Sequence, residues 1–465
     1  MKMWLTKLPI AVRLSTANFI LPIRVISLVV TFGTMLLIHA AEEPGSLVAV
    51  SIEQSEQIEL YRNQIEELES EFGPFERSLI EPLSGLSELY TGIGNLEDAN
   101  AILDRQLQLM RVSEGPDTFS QVPILEALIV NNVTMNDIEA ATNFFENIQF
   151  VYLQNPESTT EQKLRAMDDL RHWHFTAINL GEKRSRINHF RITREILDDM
   201  LRIAEDEFGE NSEAMIPYLY KEAIEKYHLL TYLFSHDEIG ENAYDAIFEA
   251  EAIQPTTYLR QGYNTVKDIR EIVQQTRNTE ADAMAAVYEA DFQMLLGMGL
   301  AQRSYREAME LFAQAGKSEQ QISDFFSRPI VLPVTEYYFS MDAALAAQDA
   351  AGYRYTRGED GEDPVAYLGN FVAWNESLLN AAKPAPPEVL SDFEIELHRA
   401  NMRFTIQSRG ETRTPDAESS EPDTVQARVD AQDALEMMVF RPRFRGNRWR
   451  RIRDVTMTYW YPPEK

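Results

Sequence analysis

The stretch Leu83–Leu103, LSGLSELYTGIGNLEDANAIL, contains the pattern from which the fold of most of the chain follows. Its patterned residues are Leu83, Leu86, Tyr90, Gly94, Ala99 and Leu103. The first three have helical spacing and form one apolar face. Gly94 then breaks the chain, and the small side chain of Ala99 lets a second helix approach closely. The sequence therefore predicts a helical hairpin with Ala99 buried at the crossing.

The same pattern recurs 42 residues further on. The equivalent residues are Leu125, Leu128, Ala141 and Phe145. Gly73, which precedes the first unit, becomes Gly115, whereas asparagine replaces both Tyr90 and Gly94. Asparagine is acceptable at the turn, Asn136, because it also adopts the left-handed conformation. We therefore expect a second hairpin in which Ala141 is buried.

A third glycine, Gly209, repeats the surroundings of Gly115: in both places a proline follows after eight residues and a leucine two residues later. The separation of the two glycines is two periods plus ten residues, so we expect an insertion, and residues 181–190 are its expected place. These units resemble tetratricopeptide (TPR) arrays, in particular the long-helix, 42-residue variety. The resemblance implies hairpins stacked into a superhelix with a concave binding groove. An unrelated all-α bundle with chance spacing is the alternative.

Composition limits the possible functions. The chain has 465 residues, which is enough for two or three domains. It is 44% hydrophobic and 25% charged, which is an ordinary composition for a globular protein. The formal net charge of −31 argues against non-specific binding of nucleic acid, because phosphates would be repelled. The absence of cysteine excludes disulfides, thiolate nucleophiles and iron–sulfur clusters.

The N-terminal segment has the pattern of a secretory signal: basic residues, an apolar run over residues 25–41, and small residues before a polar stretch. Cleavage near Ala40 or Ala41 is expected, and an uncleaved inner-membrane anchor is the alternative, since the 17-residue run is at the lower limit for a membrane span. In both cases the positive-inside rule places residues 42–465 outside the cytoplasm, in the periplasm.

Towards the C-terminus the pattern changes from helices to strands. Alternation at Met402, Phe404 and Ile406 predicts a strand. We expect a returning strand over residues 412–418 and an amphipathic helix over Thr424–Met438. In the last predicted strand, Val455, Met457, Tyr459 and Tyr461 share one face and should cover that helix, with Phe440 filling the gap. We expect Ile452, Thr456, Thr458 and Trp460 on the opposite face.

This order of elements resembles the C-terminal domain of TonB-like proteins. The matching residues are Phe404, Ile406, Gly410, Ala434, Leu435, Phe440, Arg441, Pro442 and Gly446. The resemblance implies a ββαβ domain that binds periplasmic partners through strand edges; an unrelated small α+β cap is the alternative. Energy-coupling members carry a functional histidine in the anchor and a proline-rich spacer. Here His39 lies at the far end of the apolar run, and helical hairpins occupy the place of the spacer.

The predicted fold is therefore mainly α, a TPR-like helical-hairpin superhelix followed by a small α+β (ββαβ) domain. The predicted segments are a signal peptide or anchor (1–41), a TPR-like array (42–254), a second TPR-like unit (255–333), an irregular linker region (334–390) and the TonB-C-like domain (391–465).

We found no motif for catalysis, a metal or a cofactor. Walker A, G-x-S-x-G and H-E-x-x-H patterns are missing. His172 and His174 do not share a helical face, so packing beside Trp173 is the better explanation than a metal site. The acidic run 358–363 lacks the EF-hand pattern and indicates a solvated loop. The arginines and aromatics of residues 440–460 could mark single-stranded nucleic-acid binding, but a solvated basic face fits the acidic chain better.

These observations predict a non-enzymatic, exported cell-envelope scaffold for protein–protein interactions. The expected partner is an extended peptide or an envelope protein. It would bind in the array groove, where Glu88 and Glu126 should point outward, and at the edge of the terminal sheet, where Thr456, Thr458 and Trp460 lie. The alternative is a TonB-type energy transducer or transport accessory protein anchored in the inner membrane.

Overall fold

The computed structural model describes residues 51–180, 183–235, 256–356, 365–373, 382–384, 397–445 and 448–461. The described residues form two compact units. The array unit comprises 51–180 and 192–196, and the C-terminal unit comprises 183–191 and the residues from 197 onward. The predicted signal or anchor, 1–41, the acidic run 358–363 and the first residues of the expected insertion lie outside the described residues. None of the described helices is long and apolar enough to cross a membrane.

The array unit consists of consecutive antiparallel helices. They are α1 (Ile52–Phe72), α2 (Ile80–Gly92), α3 (Leu96–Glu114), α4 (Val122–Thr134), α5 (Ile138–Gln154) and α6 (Thr160–Leu180). From α1 to α6, each helix packs on the next one in the chain. The helix after α6 is α7 (Lys183–Phe208), which is divided between the two units. The chain is thus mainly helical, as expected.

The turns explain why the helices end where they do. Gly94 and Asn136 both have positive φ, 75° and 61°, so asparagine adopts the left-handed turn that the sequence predicted. The next residue caps the following helix in each hairpin: Asn95 accepts a hydrogen bond from the Asp98 amide, and Asp137 accepts one from the Ala140 amide.

The buried face of the array confirms the predicted packing. Ala99 and Ala141 are both 0% exposed, at the places where the paired helices cross. Gly73, Gly115 and Gly209 all have positive φ, and each is followed four residues later by a short 3-10 helix that leads into the next helix. The expected insertion is accommodated by helix length, because α7 has 26 residues whereas α5 has 17.

The C-terminal unit begins with more helices: α8 (Ile216–Ser235), α9 (Thr256–Thr276), α10 (Thr279–Leu295), α11 (Ala301–Gln314) and α12 (Glu319–Ser327). The hairpin α10–α11 has its turn at Gly297, with φ 65°, and it buries Ala285, Tyr288 and Tyr305. Helix α8 belongs to this unit, although the interval predicted for the array extends to residue 254.

The remainder of the C-terminal unit is a sheet region. Its elements are β1 (Ile330–Leu332), α13 (Met341–Ala350), β2 (Arg354–Thr356), β3 (Val365–Ala373), β4 (Ala382–Pro384), β5 (His398–Ile406), β6 (Thr412–Glu421), α14 (Val425–Met437), β7 (Val439–Arg441), β8 (Arg443–Arg445), β9 (Arg448–Arg450) and β10 (Ile452–Tyr461). The main sheet has the order β2-β3-β10-β5-β6, and β4 also pairs with β3. Strand β10 runs parallel to β3 and antiparallel to β5.

The interval 334–390 is therefore not an irregular linker, because α13, β2, β3 and β4 form in it. Strand β3 was difficult to recognise because Gly369, with φ 97°, interrupts its alternation. A side chain at that position would clash with the carbonyl oxygen of Ala351, to which the amide of Asn370 donates a hydrogen bond of 2.9 Å. Gly369 thus permits the end of α13 to approach the strand closely.

The predicted ββαβ elements are present as β5, β6, α14 and β10. Val455, Met457, Tyr459 and Tyr461 are buried together with Ala431, Leu435 and Phe440 of the helix and the strand after it. The expectation for Ile452 is wrong, because it is buried in the same core. The reason is a register shift between Ile452 and Val455, with Asp454 at φ 52°, which reverses the alternation at the start of the strand.

Candidate interaction surfaces

The two acidic residues expected in the array groove differ in environment. Glu88 of α2 is exposed, as predicted. Glu126 of α4 is half-buried rather than fully outward, because Tyr152 of α5 and Asp169 of α6 lie close enough to interact with it electrostatically. Phe119, whose ring centroid is 5.2 Å from that of Tyr152, adds an apolar wall. These side chains give α4, α5 and α6 a site of mixed apolar and acidic character, which we call the array cleft after the groove expected there.

The carboxyl group of Glu126 has no compensating partner. Within the described part of the chain it accepts no hydrogen bond and forms no ion pair. Burial, together with the smaller effect of the negative charge of Asp169, raises the pKa of Glu126 to about 7. A positive group brought to this cleft would favour the ionised carboxylate, so the site has a preference for cations built into it.

Hydrogen bonds between successive helices keep the array rigid around this cleft. Trp173 of α6 donates to Thr142 of α5 at 2.8 Å and stacks on Phe145 at 4.9 Å between ring centroids. Asn131 of α4 donates to Asn100 of α3 at 2.9 Å. Trp173 is therefore a packing residue, which fits the interpretation of its neighbouring histidines as structural.

The terminal strand β10 is not a free edge, and the prediction that a partner adds to it is wrong. Both of its edges are occupied, by β3 and by β5. Of the predicted partner-binding residues, Thr458 donates to Asn401 at 3.1 Å and Trp460 donates to Asn370 at 3.4 Å, while Thr456 donates to the Ala366 carbonyl at 3.4 Å. These side chains connect β10 to its neighbours within the sheet. The sequence did not reveal this because β3 was not recognised as a strand.

The outer edge of β6 pairs with no strand among the described residues. It is nevertheless poorly suited to strand addition. Pro415 lacks an amide donor, Thr414 has φ 52°, and the β5–β6 pairing contains two register shifts. Proline, bulges and charged side chains are the features by which sheet edges avoid pairing with other chains. The array cleft is therefore the better candidate for a binding surface.

Arg441 and Arg443 are buried and take no part in the expected solvated basic face, whereas Arg448, Arg450, Arg451 and Arg453 are exposed. Arg441 donates to both carboxylate oxygens of Asp291 in α10, with its Nε 2.8 Å from Oδ1, and the Tyr305 hydroxyl also donates to Asp291. The guanidinium lies 5.6 Å from the centre of the Phe325 ring. This pair joins the helices of the C-terminal unit to its sheet region.

Sequence reasoning missed Asp291 as the partner of Arg441. One signal was available: Asp291 lies between Ala290 and Phe292 in α10, whose residues from Ala281 to Leu295 are buried with the exception of Asp282 and Glu289. A carboxylate on a buried helical face requires a positive partner. The identity of that partner could not be read from the sequence, since it lies 150 residues away.

No protein-family model and no curated protein matches the chain. Within the described residues no group of histidine, aspartate and glutamate side chains is arranged to hold a metal ion.

Proposed function

We propose that the protein is an exported cell-envelope scaffold that binds a polypeptide partner at the array cleft of α4, α5 and α6. The observation that carries the proposal is the half-buried carboxyl group of Glu126, which forms no ion pair with a described residue, while Arg165 interacts with the neighbouring Tyr152. Export is supported by the sequence of residues 1–41 alone. Repeated helical hairpins commonly serve to display such a surface rather than to catalyse a reaction.

The partner segment should carry a lysine or arginine. Such a side chain would place its positive charge beside Glu126 and Asp169, and the carboxylate would then be favoured in its ionised form. Its aliphatic stem could pack against the apolar wall formed by Phe119 and Tyr152. The net charge of −31 would also speed the encounter with a basic partner.

The test is site-specific photo-crosslinking in cells, with partners identified by mass spectrometry. The crosslinking residue replaces Val130, which lies one helical turn after Glu126 on the same face of α4. The matched control replaces Glu146, an exposed residue of α5. We expect a defined protein partner to be crosslinked from position 130 and not from position 146. We also expect Glu126→Lys to abolish the crosslink from position 130. Equal crosslinking from both positions, or a partner that persists with Glu126→Lys, would contradict the proposal.

A further inference from the structure

A cavity of about 70 Å³ lies within the C-terminal unit, where α10, α13 and β3 meet the segment of residues 329–335. Its walls are mainly apolar. Side chains that line it include those of Met284, Phe325, Val331, Ala347, Leu368 and Phe371. The cavity is separate from the array cleft, and nothing in the proposed scaffold function uses it.

One polar group in this apolar wall has no partner. Tyr353 is 4% exposed and lines the cavity, and its hydroxyl makes no hydrogen bond with any residue that the structure describes. The other buried tyrosine of the wall, Tyr288, is satisfied: its hydroxyl donates to the Glu336 carbonyl at 3.1 Å and accepts from the Tyr338 amide at 2.8 Å. A buried hydroxyl without a partner is unfavourable, so a ligand that supplies one would be stabilised by it.

The chemistry around Tyr353 specifies the kind of group that it would bind. Burial raises the pKa of Tyr353 well above its usual value, so the hydroxyl keeps its proton and can donate. The guanidinium of Arg328 lies 4.9 Å from the centre of the Tyr353 ring, but it is already paired with Asp349 at 3.0 Å. The site therefore offers no uncompensated charge, and a neutral oxygen acceptor suits it better than a carboxylate.

Size limits the rest of the ligand. An apolar cavity of roughly 150 Å³ accommodates benzene, and this one has about half that volume, so it suits a short aliphatic group rather than a ring or a long chain. The geometry points to a binding site for a short aliphatic group that carries a carbonyl oxygen, such as a small ketone or a short acyl group. The oxygen accepts the hydrogen bond of Tyr353, and the carbon chain contacts Leu368 and Ala347.

The probe is acetone, compared with propane as a hydrocarbon of similar size, and binding to the full chain is followed by saturation-transfer NMR. Tyr353→Phe keeps the ring and removes only the hydroxyl. We expect the affinity for acetone to fall by roughly two- to tenfold, the range for one lost neutral hydrogen bond, and the affinity for propane not to fall. Equal affinity of acetone for both proteins would overturn the role of Tyr353.

A second pair of variants tests the location independently of the hydroxyl. Ala347→Leu extends a side chain into the cavity and should abolish binding of both probes. Ala346→Leu adds the same atoms on the exposed side of α13 and should leave binding unchanged. If wild-type protein shows no transfer to acetone, or if Ala347→Leu still binds it, the cavity is not a ligand site.

Discussion

Replacing Arg441 with methionine should destabilise the C-terminal unit by about 3–5 kcal/mol, the cost of breaking a buried ion pair by removing one partner. The side chains of Arg441 and Asp291 are only 3% and 2% exposed, so water cannot take the place of the lost guanidinium. Among the described residues, Asp291 would keep a single donor, the hydroxyl of Tyr305. Methionine preserves much of the aliphatic contact with Phe325, so the loss reports mainly on charge.

The measurement is urea denaturation followed by hydrogen exchange and mass spectrometry, because peptides report separately on the two units. Peptides from α10, β5 and β10 should lose protection at lower urea, and peptides from α2 to α5 should be unaffected. Arg450→Met is the matched control, since Arg450 is exposed and its replacement should change stability by less than about 0.5 kcal/mol.

A double variant separates the charge effect from simple loss of packing. With Asp291→Leu added to Arg441→Met, neither charge of this pair remains, and the double variant should be more stable than Arg441→Met alone. The reasoning is refuted if the two substitutions destabilise additively, or if Arg441→Met costs less than about 1 kcal/mol.

Three further predictions concern the array and the sheet. Ala99→Leu should overpack the α2–α3 crossing and cost about 1–3 kcal/mol in urea denaturation, whereas Ala101→Leu, at an exposed site of the same helix, should cost little. Glu126 has a folded pKa raised from 4.5 to about 7, so the native state binds more protons than the unfolded state in that window and stability falls as pH rises through it. Glu126→Gln should therefore stabilise the array unit by about 1–2 kcal/mol at pH 8, a value that allows for solvent screening. At pH 4 the substitution should have little effect on stability. A stabilisation that is equal at both pH values would contradict this. Tyr459→Ala should destabilise the C-terminal unit by about 3–5 kcal/mol and unfold the sheet, because Tyr459 is buried. Circular dichroism should still show most of the helical signal. A sheet that stays protected in hydrogen exchange would count against this prediction.

The sequence was sufficient where structure depends on neighbouring residues. The positive φ of Asn136 and the burial of Ala99 and Ala141 follow from local spacing, because each hairpin closes within one repeat. The buried face of β10 was likewise predicted correctly from alternation for the residues from Val455 onward, which follow the register shift. An extra residue in a strand leaves no local signal in a single sequence, so the burial of Ile452 was missed.

The candidate surfaces were harder to predict because they depend on which elements become neighbours. The exposure of Glu88 followed from its place on α2, but the partial burial of Glu126 depends on helices α5 and α6. The occupied edges of β10 depend on β3, whose alternation is interrupted at Gly369. Binding through that edge was inferred from a ββαβ pattern that contains no information about a further strand.

The central place of β10 affects how the protein can be made. Chains emerge from the ribosome N-terminal end first, at about 5–20 residues per second, and segments fold as soon as their contacts are available. The array hairpins can form early, because each repeat spans 42 residues. Strands β3 and β5 cannot be joined until Ile452–Tyr461 has left the ribosome, and until then both present unpaired edges. Arrest of translation just before Ile452 should therefore yield a nascent chain with a folded array and a sheet region that recruits chaperones.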